Sequence, residues 1–315
     1  MKIGLIQVDG KLPNLALMKL SAWHRKQGDS IYLIKPKVVS KTLINFDKVY
    51  VSCVFEENQQ KALALSKQYP NSQLGGIGVN SIRLPEEIEH MMPDYETFNC
   101  DYSIGFTTRG CIRSCPFCKV QGHEGYIREN CDIYEFWNQK HRKIVLMDNN
   151  ILALPEHFKK VAGQIKNNNL TVDFNQGLDH RLLTPELCKI LLGLKHMHEI
   201  RFAFDDISYK PTVMKAIEMM REAGLRDWGA RWYLYIGPKD TFETVYERMK
   251  LLQREKQAVY VMRDRRVHDR PEFIALSSWG NCMGAFKLSS PRELMEKSKR
   301  FRSYKPVLDK YNLEV

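Results

Sequence analysis

Residues 231–252 read RWYLYIGPKDTFETVYERMKLL, and they form one complete strand–loop–helix unit. The mainly aromatic and aliphatic run Arg231–Ile236 predicts a strand, and the Gly-Pro pair after it predicts the turn that ends the strand. Apolar residues then recur at helical spacing over 242–252, which predicts an amphipathic helix. Asp240 stands before this helix and Glu243 follows three residues later, so we expect a capping box there.

The same unit recurs from Asp101 to about Arg263. Strands are predicted to start near Tyr102, Ile144, Leu170, Ile200, Arg231 and Ala258, and the last five starts are 26, 30, 31 and 27 residues apart. Strands that alternate with helices form a parallel sheet. The unit length suits a barrel, but six units fall short of the eight in a closed one. We therefore predict an α/β fold with a partial (βα)6 TIM-like barrel over residues 101–270.

A smaller α/β unit precedes this repeat. Residues 1–80 carry strand signals at Lys2–Val8, Ser30–Ile34, Lys48–Val54 and Gln73–Val79, with helices predicted at Asn14–Gln27 and Glu57–Gln68. The pattern is that of a small Rossmann-like domain, but no G-x-G-x-x-G follows its first strand, which argues against dinucleotide binding. Residues 81–100 are predicted to be a linker, and residues 271–315 a C-terminal appendage.

Composition and charge narrow the class of protein. The chain has 315 residues, of which 43% are hydrophobic and 27% charged, so it can bury a core; disordered, collagenous and disulfide-knot classes are excluded. Its apolar runs fall far short of the ~20 residues that cross a bilayer, so no membrane partner is expected. The N-terminus resembles a strand without a cleavage site, and we expect a cytoplasmic protein.

The chain carries 48 lysines and arginines against 37 acidic residues, a net charge of +11. Basic residues cluster at Arg263–Arg266 and over residues 296–305. Such an excess can serve solubility alone, or it can indicate an anionic partner such as a nucleotide or nucleic acid.

Three of the eight cysteines lie close together, at Cys111, Cys115 and Cys118, with the spacing C-x3-C-x2-C. Three thiolates on one polar loop are typical ligands of a soft metal or an iron–sulfur cluster. Zinc is the competing interpretation, with His123 as a candidate fourth ligand, although zinc ribbons usually pair two C-x2-C units.

This loop resembles the signature of the radical SAM superfamily, in which it follows the first barrel strand and an aromatic residue, here Phe117, precedes the last cysteine. The resemblance covers roughly residues 101–263. It implies a four-iron, four-sulfur (4Fe-4S) cluster on Cys111, Cys115 and Cys118, with S-adenosylmethionine (SAM) chelating the iron that lacks a protein ligand. It also implies reductive cleavage of SAM to a 5′-deoxyadenosyl radical, with the electron coming from a flavodoxin- or ferredoxin-like donor.

The resemblance further implies SAM contacts at the strand ends. Asp148 and Asn149 stand where the family often has Gly-Gly-Glu beside the SAM amine, although the glycines are absent here. Gln176 and Asp205 are placed to bind the ribose hydroxyls. Arg181 is a candidate partner of the SAM carboxylate. The fifth strand ends at Ile236, where the family often packs adenine.

The order of a small Rossmann-like domain, a Pro-rich linker and the cysteine loop resembles the cobalamin-dependent branch of the same superfamily. Its cobalamin domain is usually longer than the 80 residues present here, and D-x-H-x-x-G is absent. We therefore expect a shortened version of this domain that does not bind cobalamin. Two functions remain as hypotheses: a radical SAM enzyme with an anionic, nucleotide-like substrate, and a zinc-stapled, basic nucleic-acid-binding protein without catalysis.

Overall fold

The computed structural model describes residues 1–36, 45–80 and 82–311. Ser81 of the predicted linker and residues 312–315 of the predicted appendage lie outside that part of the chain. Contacts divide the chain into two compact units. Unit 1 comprises Met1–Thr107, Gly122–Gly125 and Asn130–Val145, and unit 2 comprises Thr108–Gln121, Tyr126–Glu129 and Leu146–Val315.

The strands of the described residues lie between Lys2 and Arg263. They are β1 (Lys2–Gln7), β2 (Ser30–Leu33), β3 (Lys48–Ser52), β4 (Ser72–Gly75), β5 (Ser103–Gly105), β6 (Thr108–Arg109), β7 (Arg128–Glu129), β8 (Lys143–Leu146), β9 (Thr171–Phe174), β10 (Lys195–His196), β11 (Ile200–Ala203), β12 (Ala230–Ile236) and β13 (Ala258–Arg263).

The α-helices lie between many of these strands, and the last four follow β13 in succession. They are α1 (Leu15–Lys26), α2 (Gln59–Lys67), α3 (Glu86–Glu89), α4 (Val120–Glu124), α5 (Pro155–Asn167), α6 (Pro185–Leu192), α7 (Lys210–Glu222), α8 (Phe242–Arg254), α9 (Pro271–Gly280), α10 (Met283–Leu288), α11 (Pro291–Lys297) and α12 (Lys305–Leu308). No helix among the described residues has both the length and the apolar character needed to cross a membrane.

Unit 1 contains a four-stranded parallel sheet in the order β2-β1-β3-β4. The side chains of β1 and the residue after it point alternately to two buried clusters. Ile3 and Leu5 share one cluster with residues of α1, whereas Ile6 and Val8 share the other with residues of α2. Both faces of the sheet are thus covered, as parallel sheets require.

Residues 82–107, which include most of the predicted linker, also belong to unit 1. Ile88 of α3 is buried in the same cluster as Ile3, and Tyr95 is buried as well. The Tyr95 hydroxyl donates to the carbonyl oxygen of Phe136 at 2.5 Å.

Unit 2 contains a three-stranded parallel sheet in the order β11-β12-β13, and β9 pairs in parallel with β10. The end of β9 lies next to the end of β8, because Asn175 N donates to Leu146 O at 3.1 Å. A parallel bridge between Leu178 and Phe202 joins the chain after β9 to β11. The structure is therefore an α/β fold with parallel sheets, as predicted.

The six predicted strand starts of the repeat all coincide with strands, at β5, β8, β9, β11, β12 and β13, to within one residue. The predicted cap of α8 is wrong. Thr241, not Asp240, caps this helix, and Thr244, not Glu243, completes the capping box. Asp240 is engaged elsewhere, by Gly237 N at 2.7 Å and by the guanidinium of Arg248 at 2.5 Å.

Arg248 of α8 is fully buried beneath the ends of two strands. Its Nη1 donates to the carbonyl oxygens of Phe204 and Tyr235, each at 3.1 Å, and its Nη2 donates to Asp240. Burial lowers the pKa of Arg248, while the charges of Asp240 and Asp205 oppose that shift. This one side chain therefore ties the residues after β11 to the end of β12.

We expect the substitution Arg248→Met to lower the free energy of unfolding by about 3–5 kcal/mol, because it leaves a carboxylate and two carbonyls without their donor. Urea-induced unfolding measures the change. Arg254→Met is the matched control, since Arg254 is exposed on the same helix and its replacement should change stability by less than about 0.5 kcal/mol. Equal losses in the two variants would contradict this role of Arg248.

Candidate metal and cofactor site

The cysteine loop begins at β6 in unit 2, where it is anchored to the residues that follow β8. Thr108 donates to Asp148 Oδ1 through its hydroxyl at 2.6 Å and also through its backbone N–H. Asp148 is buried. One oxygen of this predicted SAM contact is therefore used to hold the start of the loop.

The sulfur of Cys111 accepts two hydrogen bonds. Asn150 Nδ2 lies 3.6 Å from it and the backbone nitrogen of Arg113 lies 3.3 Å from it. N–H donors of this kind are common partners of sulfur atoms that ligate a metal. Asn150 is only 3% exposed, and its Oδ1 is buried without a hydrogen-bond partner among the described residues. The Asn150 side chain thus contacts the cysteine loop through Nδ2, while its Oδ1 could still accept a hydrogen bond from a ligand.

The loop is held a second time by an ion cluster on the residues after β9. Asp179 accepts from Arg113 Nε at 2.9 Å and from Arg181 Nε at 2.6 Å. Burial opposes the ionisation of Asp179, but hydrogen bonds from the two arginines lower its pKa below the ordinary value. Arg181 also lies over the Tyr209 ring, 4.6 Å from its centroid. Arg181, which was predicted to pair with the SAM carboxylate, is therefore already paired with Asp179 within the protein.

An aromatic stack makes the third attachment. The Phe117 ring lies parallel to that of Tyr235, with centroids 4.0 Å apart and planes 19° apart. The Tyr235 hydroxyl donates to Asp264, which is also paired with Arg266. Burial, and then this hydrogen bond, raises the pKa of Tyr235 to about 12. The predicted aromatic of the cysteine loop thus lies at the carboxyl end of β12.

Asp205 lies just after β11 and accepts from Tyr235 N at 3.2 Å. Burial raises its pKa to about 6, even though the charges of Arg248 and Arg181 favour ionisation. A carboxylate here is poorly solvated and gains from any further donor. Hydroxyl groups of a bound ligand would supply such donors.

The three cysteines remain within reach of one another's charges. The pKa of Cys115 is raised first by burial, then by the charge of Asp205, and then by Cys118. Among the described residues, however, no three His, Cys, Asp or Glu side chains are gathered in a geometry ready to hold a metal. The donor chemistry fits an iron–sulfur cluster, since three sulfur donors share one loop and the Cys111 sulfur has two N–H partners.

The other predicted contacts have different surroundings. Asn149 is partly buried three residues after β8, and Gln176 is partly buried two residues after β9. Ile236 is fully buried and presents no surface for an adenine ring. Tyr235, one residue earlier, is the side chain that reaches the cysteine loop.

Sequence reasoning assigned no role to Asn150, Asp179 or Arg113, and at the fifth-strand end it chose Ile236 rather than Tyr235. All four of Asn150, Asp179, Arg113 and Tyr235 attach the loop. Asn150 follows a predicted strand, and Tyr235 is the second-last residue of another. Their position at strand ends is the one signal in the sequence that could have pointed to them. Arg113 and Asp179 are 66 residues apart, and no local pattern pairs them.

Segments of unit 1 contact one another at the carboxyl end of its sheet. Asp9 accepts from the backbone nitrogens of Val54 at 2.9 Å and Phe55 at 3.0 Å. A Cβ at Gly76 would collide with the Cys53 carbonyl, so this glycine loop packs directly on the chain after β3.

The stability of the protein should reflect the titration of Asp205. The folded chain holds a proton on Asp205 up to a pH of about 6, whereas the unfolded chain releases it near the ordinary value of 3.8. Wild-type stability therefore falls as the pH rises through this window. We expect Asp205→Asn to be more stable than wild type by up to about 3 kcal/mol above pH 6, and to lose this advantage near pH 4.

Urea-induced unfolding at pH 4 and pH 8 measures this difference. Asp206→Asn is the matched control, because the hydrogen bonds from Ser208 lower the pKa of Asp206 and the substitution should bring no gain at pH 8. An Asp205→Asn difference that stays constant between the two pH values would contradict the raised pKa of Asp205.

Two comparisons with known proteins bear on this site. Neither a scan against protein-family models nor a search of curated proteins returns a match for the chain. The function must therefore be inferred from the cysteine loop and the strand ends themselves.

Proposed function

We propose that the chain is a radical SAM enzyme that carries a 4Fe-4S cluster on Cys111, Cys115 and Cys118. The observation that carries the proposal is the attachment of the cysteine loop at the carboxyl ends of parallel strands. Asn150 follows β8 and reaches Cys111, and Tyr235 of β12 stacks on Phe117. In parallel α/β folds this edge is where cofactors bind.

When bound, such a cluster supplies the electron that cleaves the sulfonium of SAM to methionine and a 5′-deoxyadenosyl radical. The residues of this chain position the cysteine ligands and leave one of them open to solvent. Asn150 and the backbone of Arg113 donate to the Cys111 sulfur and hold it in position. Cys118 is exposed, so an electron donor of the flavodoxin or ferredoxin type would approach the loop from that side.

The SAM molecule would lie along the strand ends. Asp205, partly buried, is assigned to the ribose hydroxyls, with Gln176 on the neighbouring loop. Asn149 is assigned to the SAM amine, because one oxygen of Asp148 is occupied by Thr108. Arg181 would contribute positive charge toward the SAM carboxylate while staying paired with Asp179.

Replacing Cys111, Cys115 or Cys118 by alanine should abolish iron binding and SAM cleavage, because each change removes one of three thiolates. Anaerobic iron and sulfide analysis, together with the visible absorption spectrum, measures the loss. Cys282→Ala is the matched control, since Cys282 is exposed like Cys118 but lies outside the loop. Full iron loading in Cys115→Ala, or stoichiometric zinc in a colourless wild-type protein, would contradict the proposal.

Replacing Asp205 by alanine should weaken SAM binding while leaving iron content unchanged. Hydrogen bonds to a charged group contribute about 1.5–3 kcal/mol, so the dissociation constant should rise by about tenfold to hundredfold. Equilibrium dialysis against labelled SAM measures the change, and Asp206→Ala serves as the neighbouring control. Unchanged affinity in Asp205→Ala would remove the ribose assignment.

A further inference from the structure

The β11-β12-β13 sheet has two unlike faces. On one face, Trp232, Leu234, Val259 and Val261 are buried. A Cβ at Gly280 would lie 2.6 Å from Met249 Cε and 2.9 Å from a methyl carbon of Val261, so α8 and α9 pack tightly over this face.

The opposite face carries Tyr233 and Tyr235 of β12 together with Tyr260 and Met262 of β13, and we call it the tyrosine face. Tyr233 lies opposite Tyr260, and Tyr235 lies opposite Met262, so the four side chains form two adjacent rows. Tyr260 is 44% exposed and Met262 is 38% exposed. Neighbouring exposed side chains of this size are typical of a binding surface.

The tyrosine face is continuous with the candidate cofactor site. Tyr235 stacks on Phe117 of the cysteine loop. A Cβ at Gly177 would lie 3.2 Å from Tyr233 Cδ2, so the loop that carries Gln176 borders the face as well. The Tyr233 and Tyr260 rings meet edge to face, with centroids 5.7 Å apart. A planar group stacked on the Tyr260 ring would therefore lie next to Tyr233 and Tyr235, and Tyr235 contacts the cysteine loop.

The loop after β13 supplies positive charge at the end of the same strand. Residues 263–270 contain four arginines against two aspartates. Asp264 pairs with Arg266. Arg270 pairs with Glu272, and Arg263 lies opposite the buried Ile236, on the other face of the sheet. Arg266 shares Asp264 with the Tyr235 hydroxyl and has a 66% exposed side chain, so its charge lies beside the tyrosine face. The tyrosine face is thus bordered by a loop that attracts polyanions, in a chain of net charge +11.

We infer that the tyrosine face binds single-stranded nucleic acid, with unpaired bases stacking on Tyr260 and the backbone phosphates near the arginines of residues 263–270. This inference rests on the proposed function, of which it names the substrate class. Aromatic side chains on an open sheet face, next to basic residues, provide both the stacking and the charge that unpaired strands need. An acidic peptide would use the arginines but gain little from the tyrosine rows.

The test is fluorescence anisotropy with the full chain, cluster-loaded under anaerobic conditions. The probes are a labelled 20-nucleotide RNA strand of mixed sequence, the matching DNA strand, and the RNA duplex. We expect a single strand to bind more tightly than the duplex. Tyr260→Ala should weaken that binding by about tenfold, because one stacking contact is lost, whereas Tyr260→Phe should retain it. Arg266→Gln should lower the slope of log affinity against log salt by about one.

Tyr134→Ala is the matched control, because Tyr134 is 50% exposed and lies in unit 1 rather than on this sheet. Its affinity for the strand should equal that of wild type. The inference would be overturned by no binding of either single strand, by equal binding of the duplex, by wild-type affinity in Tyr260→Ala, or by equally effective competition from polyglutamate.

Iron content and SAM affinity are measured on the same preparations. Loss of strand binding in Tyr260→Ala with iron content intact supports the inference. Failure of strand binding with an intact cluster overturns the inference alone. Iron retention in Cys115→Ala overturns the proposed function, whatever the oligonucleotide result.

Discussion

A guanidinium buried under the sheet of unit 2 sets the geometry of the strand ends. Arg248 binds the carbonyl oxygens of Phe204 and Tyr235 and the carboxylate of Asp240. A buried cation is costly unless its donors are satisfied, so these partners cannot separate without a large loss of stability. The two strand ends that carry Asp205 and Tyr235 are consequently held at a constant spacing.

That spacing determines what the cysteine loop can contact. The Tyr235 ring stacks on Phe117, and the Tyr235 backbone nitrogen donates a hydrogen bond to Asp205. The loop is tied separately to Asp148 and, through Arg113, to Asp179. Attachments at the ends of β8, β9 and β12 restrict a loop that has little regular structure of its own. This restriction suits a ligand set that must present three sulfur atoms together.

Local signals accounted for most of the secondary structure. Apolar runs located the strands, and prolines in the first turn located α5, α6 and α7, because both patterns act over a few residues. The cap of α8 could not be found in this way. Asp240 is a good capping residue by type, but the pairing with Arg248 draws its side chain into the interior, and Thr241 takes its place.

The sequence alone determined the alternation of strands and helices, the parallel sheets and the presence of three thiols on one loop, since these depend on residue type and spacing. Tertiary structure alone decided which residues hold that loop. Asn150, Asp179 and Tyr235 come from three different strand ends, and their contacts with the loop depend on how the strands are ordered in space. It also decided that the tyrosines of β12 and β13 share one open face, because parallel register, and not sequence distance, places Tyr233 opposite Tyr260.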